Sequence, residues 1–388
     1  MAIHPIIRLK PREGRRARAG APWLFSNEIE MPAKPPGALV NVAGDDGRVF
    51  GTGFFNPQSL IAVRLLDPAA DAAIDAEYLA GRLKRALSLR EALYPAPYYR
   101  LVNAEGDGLP GLVIDRFDDT VVVQITAAGM EALLEPLLLA LDQTIAPANV
   151  ILRADAPART LEGLPSYVRA AKGEAGRIAV EENAVRYFAD VTAGQKTGWY
   201  YDQRDNRAFV ASLARGKSVL DAYCYSGGFA LAAARAGAKD VAGLDSSAPA
   251  LELAEDAAAA NGLSCTFVKA DVFEELERLW AAREKFDVVV ADPPPFVKAK
   301  KDLEAGAKAY RKLARLAASV AAPGGTLLLA SCSHNISTER FAQECAAGIW
   351  RADRSARLIR QSGAAPDHPI HPMLPESAYL KALVYVLD

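Results

Sequence analysis

The chain has 388 residues, 51% of them hydrophobic and 24% charged, with a net charge of −2. This excludes a disordered chain, leaves room for two or three domains, and does not announce a nucleic-acid binder by charge alone. No apolar run approaches the roughly 20 residues needed to span a bilayer, and the opening MAIHPIIRLK lacks the apolar core of a signal peptide. Cys224, Cys265, Cys332 and Cys345 form no CxxC pair, so neither a disulfide framework nor a zinc site is expected. The reading is a soluble protein of the reducing cytoplasm with no membrane partner.

Residues 1–72 are predicted to be β-rich. Turn signals at Pro35-Pro36-Gly37 and Gly44-Asp45-Asp46-Gly47 separate short β-rich runs such as Ala38–Val42 and Ile61–Leu66. Gly51 and Gly53 interrupt VFGTGFF, which predicts a bulge or a close backbone approach. Arg8, Lys10, Arg12, Arg15, Arg16 and Arg18 cluster against a single acid, Glu13. Such a cluster either neutralises phosphates or forms a solvated face. Pro68 to Asp75 reads as a linker.

Residues 73–190 are predicted to be a small α+β domain. A helix over Glu77 to Leu93 is followed by strands at Gly111–Asp115 and Thr120–Thr126, a helix around Glu131–Thr144 and a strand at Asn149–Arg153. Arg177–Val180 and Ala184–Phe188 flank Glu182-Asn183 as a hairpin would. From residue 191 to 388 strands and helices alternate. Strands are expected at Ser218–Ala222, Asp240–Leu244, Cys265–Lys269, Asp287–Ala291, Thr326–Ala330 and Leu380–Leu387, with helices at Gly228–Arg235 and Ala248–Asn261. That alternation means an α/β fold with a mostly parallel, doubly wound sheet. An edge strand in either region would allow a homodimer.

In such a sheet ligands bind beyond the carboxyl ends of the strands. Four segments sit at those ends. DAYCYSGGFA (Asp221–Ala230) runs from a strand through Gly227-Gly228 into a helix, without the GxGxxG spacing of a dinucleotide site. Asp245 ends the next strand, where an acid can bind ribose hydroxyls or cap a helix. Asp271, in KADVF, could accept from an adenine amine or act as a cap. FDVVVADPPPFVKAK (Phe286–Lys300) ends a buried strand in three prolines, which cannot donate. Its carbonyls, the Asp292 carboxylate and the Phe296 ring suit a flat ring bearing N–H groups, as an extruded nucleobase is. Asp202 is expected to cap the helix that runs to about Leu213, with Asp205 in its first turn. Asp367, His368 and His371 lie among prolines, so a rigid loop is expected there rather than a metal site. Trp199 is expected in a core or stacked on a base.

DAYCYSGGF, GLDSS, KADVF and DPPPF together resemble the successive motifs of class I S-adenosylmethionine-dependent methyltransferases. The likeness is closer to the RlmI-like family of large-subunit ribosomal RNA cytosine-C5 methyltransferases. TAGQKTGWYYDQRDNR (Thr192–Arg207), SCSH (Ser331–His334) and PDHPIHPMLPESAYLKAL (Pro366–Leu383) resemble later segments of that family. GAPWLFSNEIE (Gly20–Glu30) and GTGFFNPQSLIAVRLL (Gly51–Leu66) resemble its N-terminal RNA-binding PUA domain, and AEGDGLPGLVIDRF (Ala104–Phe117) its middle domain. Pro295 fills the variable position of DPPxF. Cys224 stands where an aromatic or aliphatic residue is also common, so it is given no catalytic role.

The resemblance implies a PUA-like domain at 1–72, a central α+β domain at 73–190 and a Rossmann-like methyltransferase domain at 191–388. It implies S-adenosyl-L-methionine as cofactor, held by Asp221, Tyr223, Ser226, Gly227, Gly228, Phe229, Asp245, Ser246, Asp271, Val272, Tyr200 and Gln203. It implies Cys332 and Asp292 as catalytic residues. Pro293, Pro294, Phe296, Arg15 and Arg16 are then the residues expected to meet large-subunit ribosomal RNA. The DPPPF loop on its own fits methylation of an exocyclic amine equally well. Carbon 5 of cytosine instead requires a thiolate to add at carbon 6, and Cys332 follows the strand expected beside the one ending at Asp292. A buried structural thiol is the other reading of Cys332.

Overall fold

A computed structural model describes residues 4–174, 176–195 and 197–388, so Lys196, within the segment Thr192–Arg207, lies outside the described residues. The chain folds as two compact units. One comprises residues 1–177, 190–199 and 366–377; the other comprises 178–189, 200–365 and 378–388. Among the described residues no helix is long and apolar enough to cross a membrane.

The first unit holds two five-stranded sheets. The N-terminal one orders its strands Ile6–Arg8, Ala38–Ala43, Val49–Phe55, Ile61–Asp67 and Trp23–Phe25. Its core is Leu24, Val40, Val42, Phe55 and Val63. The two glycines of VFGTGFF are there because backbones meet. A Cβ on Gly51 would lie 2.0 Å from the Asp67 carbonyl, and one on Gly53 would lie 2.4 Å from that of Arg64. The pairing shifts register at this point, as the glycines predict. The second sheet runs Tyr167–Lys172, Asn149–Ala154, Thr120–Ile125, Leu112–Phe117, Tyr98–Asn103. Helices Ala76–Leu93 and Leu134–Thr144 supply Leu79, Leu83, Leu137 and Leu141 to its core. The helix expected around Glu131–Thr144 is broken in two at Leu133, with a short turn over Ala128–Ala132. Gly129 in that turn packs directly on the Phe54 ring.

The segment 366–377 is part of this unit because a buried ion network takes it in. Arg90 is fully buried; it pairs with Asp107 at 2.6 Å and donates to the Asp367 carbonyl at 2.7 Å. The Asp367 carboxylate accepts from the Arg100 amide at 3.0 Å and from His368 Nδ1 at 2.7 Å. His368 is therefore held by its neighbour in a tight loop.

The second unit is built on a seven-stranded sheet. We number its strands β1 (Ser218–Ala222), β2 (Asp240–Asp245), β3 (Thr266–Lys269), β4 (Phe286–Ala291), β5 (Ala321–Ser331), β6 (Ala356–Ser362) and β7 (Lys381–Leu387). The order across the sheet is β3-β2-β1-β4-β5-β7-β6. The first five are parallel, and β7 is antiparallel between β5 and β6. The helices are α1 (Arg204–Leu213), α2 (Gly228–Arg235), α3 (Ala248–Asn261), α4 (Val272–Ala281), α5 (Leu303–Val320) and α6 (Thr338–Trp350). Leu276, Leu313, Ala317 and Phe341 cover one face, and Val210, Phe229 and Ala233 the other. Both faces are covered, so the strands read as continuous apolar runs rather than alternating ones.

Residues 178–189, nearly all of the hairpin Arg177–Glu182 and Val185–Asp190 that the sequence reading puts in the central region, group with this second unit. The reason is a buried acid. Glu182 is 4% exposed and accepts from Arg207 at 2.7 Å and Arg204 at 3.2 Å, both on α1. Removing one partner of such a pair strands the other charge, at about 3–5 kcal/mol. Glu182→Ala is therefore expected to lower the unfolding free energy read from urea titration by that order, and an unchanged midpoint would show that the pair does not hold the hairpin.

Candidate functional site

The site grows from the carboxyl ends of the parallel strands. Asp221, on β1, is fully buried. Its Oδ2 accepts from the Ala230 amide at 2.9 Å, at the start of α2, while Oδ1 is buried with no partner among the described residues. Burial pushes this carboxyl up to about 7, and the nearby acids Asp292 and Asp245 oppose its ionisation further, while the Ala230 amide pulls the other way. Ser226 Oγ is likewise buried and, among the described residues, without a partner. The loop between them is strained: Tyr223 and Tyr225 hold left-handed backbones at φ 66° and 49°, a cost of order 1–3 kcal/mol each. Gly227 has φ 80°, and a Cβ there would come within 3.0 Å of Ala254. Glycine is thus required both by its conformation and by packing.

Asp245 ends β2 but does not cap α3. Its Oδ2 accepts from the Tyr225 amide and its Oδ1 from the Ser247 amide, both at 2.9 Å. Ser247 is the cap. Asp245 therefore ties the glycine loop to its own strand end. Asp271 is exposed and caps α4, accepting from the Glu274 amide at 3.1 Å. Asp271 and Asp245 both act on Tyr223, whose phenol is raised chiefly by burial. The structure thus brings Asp221, Tyr223, Ser226, Gly227, Asp245 and Asp271 to one edge. Ser246 is exposed beside them, Val272 is buried at the head of α4, and Phe229 packs into the core under α2.

The DPPPF loop follows β4. Pro293 is buried and Pro294 exposed. Gln203 Nε2 donates to Asp292 Oδ2 at 2.9 Å, and Asn206 donates to Gln203 Oε1 at 2.7 Å. Gln203 therefore orients Asp292. Tyr200 is edge-on to Tyr225, with ring centroids 5.4 Å apart. Its phenol is pushed up by burial, and then by Tyr225, Asp202, Asp292 and Cys332. Tyr200 thus stands between the glycine loop and the pair Asp292 and Cys332. The Phe296 ring is half-buried against Tyr310, at 4.8 Å, and Phe273, at 5.9 Å.

Cys332 is half-buried just beyond Ser331, the last residue of β5, and β5 is the neighbour of β4. Cys224 and Cys345 are buried, and burial raises both thiols well above their ordinary value. Cys265 is raised to about 11, again chiefly by burial. The two loops at the ends of β4 and β5 are tied together by one phenol that sequence reasoning missed. Tyr310, on α5, accepts from Ser331 Oγ at 2.7 Å and from the Phe296 amide at 3.4 Å, and shares a hydrogen bond with Ser333 Oγ at 2.8 Å. Ser333 Oγ in turn accepts from the Val297 amide at 3.2 Å.

One expectation is revised. Asp202 does not cap α1. A short 3₁₀ turn over Tyr201–Gln203 precedes that helix, and Asp202 Oδ2 accepts from the Tyr379 hydroxyl at 2.6 Å instead. Within the basic cluster, Arg16 pairs with Glu376 at 2.9 Å, and Arg18 with Asp45 at 2.7 Å and Asp46 at 2.9 Å. Arg15 remains exposed.

Residues 169–386, more than half the chain, match the family model of S-adenosylmethionine-dependent methyltransferases, and residues 7–68 match a PUA-like domain. A protein of Shewanella denitrificans named ribosomal RNA large subunit methyltransferase I is 40% identical over 395 residues, covering 99% of each chain. One of the same name from Photobacterium profundum is 36% identical and covers 97% of each chain. The chain belongs to this methyltransferase family. In fold it is similar to a protein of Streptococcus mutans provisionally assigned as an S-adenosylmethionine-dependent methyltransferase, with a TM-score of 0.84, 20% identity, and coverage of 98% of this chain and 100% of that one. A provisionally assigned methyltransferase solved with S-adenosylhomocysteine gives a TM-score of 0.86 at 20% identity over 98% of this chain and 100% of that one.

The methyltransferase's cofactor, S-adenosylmethionine, carries an ammonium, a sulfonium and ribose hydroxyls, all of which seek acceptors. The strand-end acids, with the open Asp221 Oδ1 and Ser226 Oγ, fit such a group. Asp221 also gives a pH test. An unfolded Asp ionises near 3.9, and this one near 7 when folded. Between the two the native state binds the extra proton, so Asp221 removes stability as pH rises and the loss is complete above about 7. Asp221→Asn should cancel that slope, about 1.4 kcal/mol per pH unit at most. Urea unfolding of both proteins from about pH 4 to pH 8 measures it; parallel curves would show that the carboxyl is not perturbed.

Proposed function

We propose that the protein methylates carbon 5 of a cytosine in large-subunit ribosomal RNA through a Cys332 adduct at carbon 6. The RNA class follows the names of the relatives. The carbon-5 chemistry is supported by one observation above the others: a half-buried cysteine directly follows β5, the neighbour of β4, which Asp292 directly follows, with Tyr200 beside both. On this reading the work is done in the cytoplasm. The N-terminal region 1–72 holds RNA, the central region 73–190 supports it, and the methyltransferase region 191–388 does the chemistry.

A neutral cytosine is a poor carbon nucleophile. The base is extruded into the pocket. The proline-loop carbonyls at Pro293 and Pro294 accept from its amino edge, and the half-buried Phe296 lies beside them. Asp292, oriented by Gln203, acts as the protonated acid that donates to N3 as carbon 6 is attacked. The Cys332 thiolate adds to carbon 6, and the electron pair released makes carbon 5 nucleophilic. Asp221, Tyr223, Ser226, Gly227, Gly228, Asp245 and Asp271 would hold S-adenosylmethionine, which would supply the electrophilic methyl group and leave as the neutral thioether S-adenosylhomocysteine. Loss of the carbon-5 proton returns the pair to the ring and expels Cys332 as thiolate.

Two measurements test this. Cys332→Ala should abolish 5-methylcytidine in unmodified large-subunit RNA, read by nucleoside mass spectrometry, while S-adenosylhomocysteine binding stays intact. RNA carrying 5-fluorocytidine, which has no carbon-5 proton to lose, should trap the wild-type chain in a denaturation-resistant adduct. Methylation of an exocyclic amine that survives Cys332→Ala would instead make the thiol a packing residue. For the RNA surface, Arg15→Ala should weaken binding and reduce the salt slope by about one. Arg16→Ala, with its charge already shared with Glu376, should change both less.

A further inference from the structure

Lys381 opens β7 and pairs across the sheet with Ser331, so its strand starts where β5 ends, one residue before Cys332. Its side chain is buried at 6% exposure. Nζ donates to the Ser333 carbonyl at 2.6 Å and the Tyr379 carbonyl at 3.0 Å. Ser331 and Ser333 bracket Cys332, so the lysine grips the loop on both sides of the thiol. An ammonium has three donors. Two go to neutral carbonyls, and among the described residues no carboxylate pairs with this nitrogen. A buried cation without a counter-ion is costly. Burial pulls this lysine down, and an anion at Cys332 pulls it back up.

The carboxyl and the phenols that face Cys332 do not supply that charge. From the end of β4 comes Asp292, a carboxyl that carries no positive charge. From the turn before α1 comes Tyr200, and from α5 comes Tyr310. From the segment before β7 comes Tyr379, bonded to Asp202 and with its ring 5.4 Å from His334. His334, in the loop of Cys332 itself, is the other nitrogen base at this end.

We propose that Lys381 holds the Cys332 thiol in its ionised form and fixes the loop that presents it. The proposal rests on the reading of Cys332 as the nucleophile. The thiol loses its proton to solvent, the sulfur keeps the electron pair, and the ammonium keeps its proton, so a cation–anion pair replaces a lone buried cation. Lys381 acts through the sulfur and is a positioning residue.

The test reads the thiol directly. The full chain with Cys265→Ser, leaving Cys332 as the one accessible thiol beside two buried ones, is alkylated with iodoacetamide from about pH 5.5 to 9.5, and Cys332 labelling is followed by peptide mass spectrometry. In Lys381→Met the midpoint should rise by at least about one pH unit, or about tenfold slower labelling below it. Lys381→Arg, which keeps the charge, should restore most of the shift. S-adenosylhomocysteine binding reports that each variant is folded; if the Met variant is not, Lys381→Gln takes its place. Superimposed profiles across folded variants overturn the proposal. If Cys332→Ala still forms 5-methylcytidine, the parent reading fails whatever the alkylation profile, so the two failures are separable.

Discussion

Parallel pairing of β1, β4 and β5 is the constraint on which the site depends. Asp221 sits opposite Val290, Ala222 opposite Ala291, and Ala291 opposite Leu329. Parallel strands carry their carboxyl ends to one edge, so the loops after residues 222, 291 and 331 must emerge side by side. An antiparallel neighbour in place of β5 would send Cys332 to the far edge. The chemistry is thus assembled by backbone hydrogen bonding, before any side chain of the site makes a contact. What remains is to stop three adjacent loops from drifting. Asp245 does this for the glycine loop through the Tyr225 amide, and Tyr310 does it for the other two through three bonds to one hydroxyl.

The proline loop makes sense in this setting. A strand buried on both faces ends there in residues that cannot donate. The first amides after the prolines, Phe296 and Val297, are taken by Tyr310 and Ser333. One Asp292 oxygen is taken by Gln203. The loop therefore offers acceptors and holds its remaining donors inward. A donor-bearing edge of a flat ring meets no competing N–H there. Phe296, half-buried in the Tyr310 and Phe273 cluster, stiffens the wall more than it offers a free face.

Much of this was legible because βα alternation and strand-end acids are local signals. The strand ends at Asp221, Asp245 and Asp292 were readable from apolar runs that stop at a polar residue. The grouping of the hairpin at Glu182 was not, since its arginines lie on a later helix. Asp202 looked like a cap because an acid before a helical run normally is one; its real partner, Tyr379, is remote in sequence. Tyr310 and Lys381 carry no local signature at all. A tyrosine inside an amphipathic helix reads as core, and a lysine at the start of an apolar strand reads as an edge. Their partners are a hydroxyl pair and two carbonyls brought in by the sheet order.

The electrostatics at the β5 end also bear on which atom of a base is methylated. A site for an exocyclic amine needs acceptors that orient a lone pair, and the proline loop alone supplies them. It has no use for a buried cation beside a thiol. A carbon-5 site needs a proton donor at the ring nitrogen to draw electrons, and a cation at the sulfur to keep it ionised before attack and stable on departure. Asp292 and Lys381 stand on the two sides of Cys332 in the order that division requires, one from β4 and one from β7. The lysine's placement is costly for folding, and such local costs gather where a site needs them.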